Sequence, residues 1–144
     1  MPFETPVRTW EILLLEKSAR ETALIHRAID NAHVSVVKHG PDVLKFLRTE
    51  GSSGTVPRPD LVMLDLKLSR AGDVEVLKEL KQDPLLKRIP VVVLASSVSY
   101  EEIYEAYDLH ANAYICKPAR RKEYLRVLRE TLHFWLRLAR LARD

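Results

Sequence analysis

The chain has 144 residues, enough for one domain with a proper core, and its 47% hydrophobic and 30% charged residues are those of an ordinary soluble globular protein. One cysteine, Cys116, excludes an internal disulfide, no apolar run approaches a membrane span, and Met1-Pro2-Phe3-Glu4 lacks a signal layout, so a cytoplasmic protein is expected. The net charge of +3 is uneven, because residues 119–144 carry +5 and the remainder −2.

Short apolar runs alternate five times with longer amphipathic stretches. The first run, Glu11 to Leu15, ends at Glu16-Lys17, and Ser18-Ala19-Arg20-Glu21 reads as a capping box that opens a helix. A second run spans Val34 to Val37, followed by a helix opened at Gly40-Pro41. Gly51 to Pro59, rich in Gly, Ser and Pro, reads as a surface loop. The third run, Leu61 to Leu64, ends at Asp65, and a helix from Gly72-Asp73 stops near Asp83-Pro84. A fourth, Pro90 to Leu94, ends at Ala95-Ser96, and Ser99-Tyr100-Glu101-Glu102 is a second capping box. The fifth, Ala113 to Cys116, ends at Lys117-Pro118, and Arg120 begins the last helix.

Continuous rather than alternating apolar runs predict strands covered on both faces. Five βα units with right-handed crossovers predict a doubly wound, flavodoxin-like parallel α/β sheet in the order 2-1-3-4-5, one domain with its core over about 11–136. In that order Glu16 and Asp65 close neighbouring strands at the switch point, where their carboxylates share a crevice. An isolated Asp reads first as a cap or loop residue, and a lysine before a proline as a surface group. The common sheet edge of Glu16, Asp65 and Lys117 favours a charged pocket instead. The five histidines show no metal-ligand spacing, no glycine-rich phosphate loop is present, and nothing around Cys116 predicts a lowered pKa.

The last helix carries an apolar stripe, Tyr124, Leu125, Leu128, Leu132, Trp135, Leu136 and Leu138, that continues to about Leu141. Its first half reads as a cover for the domain core. Trp135, Leu138 and Leu141 extend beyond it and predict a homodimer contact. The arginines of the opposite face are mixed with Glu123 and Glu130, and no helix-turn-helix is present, which argues against nucleic acid.

This plan, an acidic residue after strand 1, Asp after strand 3 and Lys-Pro after strand 5, resembles the receiver domain of two-component response regulators. Pro57-Arg58-Pro59-Asp60-Leu61, Lys87-Arg88-Ile89-Pro90-Val91-Val92-Val93-Leu94, Ala111-Asn112-Ala113-Tyr114 and Phe134-Trp135 are similar to the small stand-alone regulators that partner bacterial phytochromes. The resemblance implies that Asp65 is a phosphoacceptor served by a sensor histidine kinase, that Lys117 pairs with a phosphoryl oxygen, and that Tyr114 reports the activation state. Asp65-Leu66-Lys67 lacks the second aspartate of haloacid-dehalogenase-like phosphatases, so signalling by protein contact rather than enzyme activity of its own is expected.

The pattern breaks at two main points. The acid pair that normally holds Mg²⁺ is Glu16-Lys17, and the hydroxyl that normally ends strand 4 is replaced by Ala95, with Ser96 expected on the opposite face. Ser69 and His110 stand where a proline and a glycine are usual. Glu16, Asp65 and the backbone carbonyl of Lys67 would form a weak Mg²⁺ site, opposed by the Lys17 ammonium. Phosphoryl transfer depends on positioning and charge neutralisation, so the expectation is impaired Mg²⁺-dependent phosphorylation, with Lys17 and Lys117 both paired to Asp65 and Glu16. The alternatives are a working phosphoacceptor and, more remotely, a nucleic-acid binder through the basic helix.

Overall fold

Apolar residues on both faces of each inner strand divide the core in two. On β1 (Trp10–Leu15), Leu13 and Leu15 enter one cluster while Ile12 and Leu14 enter the other. The same alternation holds on β3 (Leu61–Asp65) and β4 (Val91–Ala95), where Val62, Leu64, Val91 and Val93 face one way and Leu61, Met63, Val92 and Leu94 the other. With β2 (Ala32–Val37) and β5 (Ala113–Cys116), these strands form one parallel sheet in the order β2-β1-β3-β4-β5. The computed structural model describes residues 9–50 and 58–142, so most of the expected loop at Gly51 to Pro59 lies outside the described residues.

Helices α1 (Ala19–Ala28) and α5 (Arg121–His133) cover one face through Leu24, Ile25, Leu125, Leu128 and Leu132. The other face is covered by α2 (Gly40–Lys45), α3 (Ala71–Gln82) and α4 (Tyr100–Asp108), which supply Val43, Leu44, Val76, Leu77, Leu80 and Ala106. Single π-helical turns, Phe46–Glu50 and Phe134–Leu138, continue α2 and α5. The predicted sheet order is the observed one, with small shifts at the ends. β2 begins at Ala32, two residues early, because as the edge strand it is only half-buried and carries a weaker apolar signal. β4 begins at Val91 rather than Pro90, whose ring has no amide for the ladder.

His110 sits at φ 71° after the last turn of α4, the left-handed position that favours glycine. Its amide donates to the Tyr107 carbonyl, and the Ala111 amide donates back to Ala106, so the helix end closes without the glycine. Among the described residues no helix is long and apolar enough to cross a membrane.

Candidate functional site

Strand register brings the site together. Leu15 pairs with Leu64, so Glu16 and Asp65 leave the sheet edge side by side, and Ala95 pairs with Cys116, so Lys117 follows at the same edge. Lys117 Nζ lies 3.2 Å from Glu16 Oε1, 2.9 Å from Glu21 Oε2 and 3.0 Å from Asp65 Oδ2. The Lys117 side chain is 6% exposed and that of Glu16 only 1%, whereas Asp65 is 32% exposed and opens onto a cleft. One ammonium therefore serves three carboxylates, of which only Asp65 and Glu21 reach solvent.

Glu21 was missed by the sequence reading, which placed it in a capping box. The Ser18 oxygen does accept from the Glu21 amide, as a cap should. The return bond is absent: the Ser18 amide donates to Glu16 Oε2 at 3.2 Å, and the Glu21 carboxylate goes to Lys117. The second box is half-made in the same way. Ser99 caps the Glu102 amide, but Glu102 Oε1 accepts from the Ser69 amide at 2.9 Å, tying α4 to the loop after β3. Both N3 glutamates are diverted from their helices to the crevice.

Lys17 departs from expectation. It is exposed on the cleft rim and, among the described residues, makes no ion pair, so Lys117 alone pairs with the acids. Consecutive residues past a strand end need not share a direction, and Glu16 takes the inward one. The strand stops at Ala95, and the exposed Ser96 borders the cleft together with Ala95 and Ser97. The Tyr114 hydroxyl donates to the Ser97 carbonyl at 3.1 Å, and Cys116 Sγ approaches the same oxygen at 3.6 Å. Burial, then the charge of Glu102, pushes the Tyr114 hydroxyl pKa up, so it stays a donor.

Burial and, next, the nearby Asp65 charge raise the Glu16 carboxyl from 4.5 to about 7, against the opposing pull of the Ser18 amide and Lys117. Burial by itself would lower Lys117, but its bond to Glu21 and the charge of Asp65 outweigh that and hold it above the ordinary lysine value. A single cation cannot neutralise three acids, and the most buried of them is the one that burial favours in its protonated form. The native state then binds more protons than the unfolded chain between pH 4.5 and about 7. Stability from this group is highest below that window and falls as pH rises through it, by on the order of 3 kcal/mol. Urea denaturation at pH 5 and pH 8 should show this loss in wild type and a flatter profile in Glu16→Gln. Identical profiles would contradict it.

The carboxylates of Glu16, Glu21 and Asp65 offer oxygens within 4.8 Å of one another, hard ligands suited to a hard divalent cation. Lys117 competes for all three, and the Lys67 carbonyl already accepts from the Arg70 amide at 2.9 Å, so the site fits Mg²⁺ or Mn²⁺ weakly.

A doubly wound sheet with an Asp, an acid and a Lys at its switch point defines a receiver domain. Residues 12–129 match the family of response regulator receiver domains, and the chain belongs to that family. It is a response regulator of two-component signalling, 35% identical over 129 residues to response regulator Rcp1 of Synechocystis sp., covering 87% of this chain and 88% of Rcp1. The structure of the phosphorylated cyanobacterial phytochrome response regulator RcpA superposes with a TM-score of 0.84 at 38% identity, covering 93% of this chain and 99% of that one. The Mn²⁺-bound form of Rcp1 gives 0.82 at 34% identity, with 93% and 99% covered.

Proposed function

We propose that this chain is a phytochrome-type response regulator in which Lys17 and Ala95 impair Mg²⁺-dependent phosphorylation of Asp65 while Lys117 ties up the acids of the pocket, so that signalling runs through protein contact. The observation that carries this is the binding of one ammonium to Glu16, Glu21 and Asp65 together, where Lys17 and Ala95 stand in the places of an acid and a hydroxyl. A bound divalent cation would supply neutralisation of phosphoryl charge. Here a cation must first compete with Lys117. The reading predicts that, with Mg²⁺ and acetyl phosphate, intact mass shows at most a minor phosphoryl adduct, absent in Asp65→Asn. Rapid, complete conversion would favour an ordinary phosphoacceptor fed by a sensor histidine kinase, a reading supported by the solvent-open Asp65.

The kinase of either reading is of the phytochrome class by similarity to RcpA, and the compartment is the cytoplasm. The exposed Tyr100, Tyr104 and Tyr107 of α4 offer a surface for an outgoing contact. A homodimer through the chain's end is the second part of the proposal. Trp135 and Leu141 are half-buried against the domain's own core, which leaves Leu138, 65% exposed, as the outward part of the stripe, with the exposed Phe134 nearby. Leu138→Arg should shift the sedimentation profile from dimer to monomer at micromolar concentration without loss of thermal stability. A wild-type monomer would remove the dimer from the account. Arg126 is paired along the helix with Glu123 and Glu130, which supports protein rather than nucleic acid as the partner of this face.

A further inference from the structure

The cleft above Asp65 has a volume of about 600 Å³, in the range of small-molecule sites and much larger than one phosphoryl group needs. Its rim carries Lys38 and His39 after β2, Lys17 after β1, and Lys67 and Arg70 after β3. Among the described residues, none of Lys17, Lys38, Lys67 and Arg70 forms an ion pair. The carboxylates of the cleft are, by contrast, all engaged. Glu16 and Asp65 are tied to Lys117, Asp73 accepts from the Lys67 amide at 2.8 Å, and Glu102 accepts from the Ser69 amide.

Lys38, Lys17 and Lys67 follow the ends of three adjacent strands, β2, β1 and β3, spaced ~4.8 Å apart, and Arg70 caps the start of α3 beyond them, a row on the order of 10 Å long. Such a row matches two linked phosphates better than one, and the Arg70 guanidinium is suited to bidentate phosphate contact. Among the described residues no Phe, Tyr or Trp lines the cleft, so recognition rests chiefly on the phosphates. Lys17, next to Glu16, supplies a fixed positive charge where a bridging cation would otherwise be needed.

We propose that this rim binds the pyrophosphate moiety of a small phosphorylated molecule, non-covalently and without a divalent cation. The inference is independent of whether Asp65 is phosphorylated. Calorimetric titration of the full chain with inorganic pyrophosphate in EDTA tests it, with orthophosphate as the comparison. One saturable site is expected, at least tenfold tighter for pyrophosphate than for orthophosphate. It should weaken at least tenfold in Lys17→Gln/Arg70→Gln, whereas Asp65→Asn, which removes a negative charge from the cleft and abolishes any phosphoryl adduct, should bind pyrophosphate at least as tightly as wild type. Absence of saturable binding, equal affinity for the two anions, an unchanged affinity in the double variant, or binding only with Mg²⁺ would each overturn the proposal.

Discussion

Replacing Lys117 by methionine is expected to destabilise the domain by about 3–5 kcal/mol, the range for removing one partner of a buried ion pair. The side chain is 6% exposed and bonds three carboxylates, so its loss leaves Glu16, 1% exposed, and Asp65 facing one another with no cation between them. Methionine keeps the volume, and the effect isolates charge from packing. The penalty should shrink at lower pH, because protonating the carboxylates removes the repulsion that Lys117 relieves. Urea denaturation at pH 5 and pH 8 reads both effects. A loss under 1 kcal/mol at pH 8 would mean that water, not Lys117, neutralises the cluster.

The second large effect is expected at Lys17. Two unit charges ~6 Å apart interact by ~0.7 kcal/mol in bulk water and more strongly near a protein. Lys17→Asp reverses the sign of one charge next to Glu16 and acts on a divalent ion, which multiplies that term about fourfold, to ~3 kcal/mol. Mg²⁺ affinity should therefore rise between tenfold and a hundredfold. Calorimetric titration with MgCl₂ measures it directly, and Lys17→Gln, which only removes a charge, should fall between the two. Equal Mg²⁺ affinity in wild type and Lys17→Asp would show that Lys117, not Lys17, limits the metal.

The sheet and the three central site residues were legible because burial on both faces leaves continuous apolar runs, and the charged residue that ends each run marks the sheet edge. Glu16 and Asp65 could be placed in one crevice from strand order, with Lys117 at the same sheet edge, and the Lys117 ammonium lies within 3.2 Å of both carboxylates. Glu21 and Glu102 could not. A capping box is a local pattern, and its glutamate has a free choice between its own helix and any stronger partner that the fold brings near. Lys117 and the Ser69 amide are such partners, 96 and 33 residues away in sequence. The expected pairing of Lys17 failed for a related reason. Adjacency in sequence to Glu16 does not fix side-chain direction once the strand has ended.

The most direct test of a pocket shut by substitution is intact mass after incubation with Mg²⁺ and acetyl phosphate, comparing wild type, Lys17→Asp/Ala95→Thr and Asp65→Asn. The account predicts little adduct on wild type, a phosphorylated fraction at least tenfold larger on the double variant, and none on Asp65→Asn. Wild type phosphorylated as fully and as fast as the double variant would contradict it.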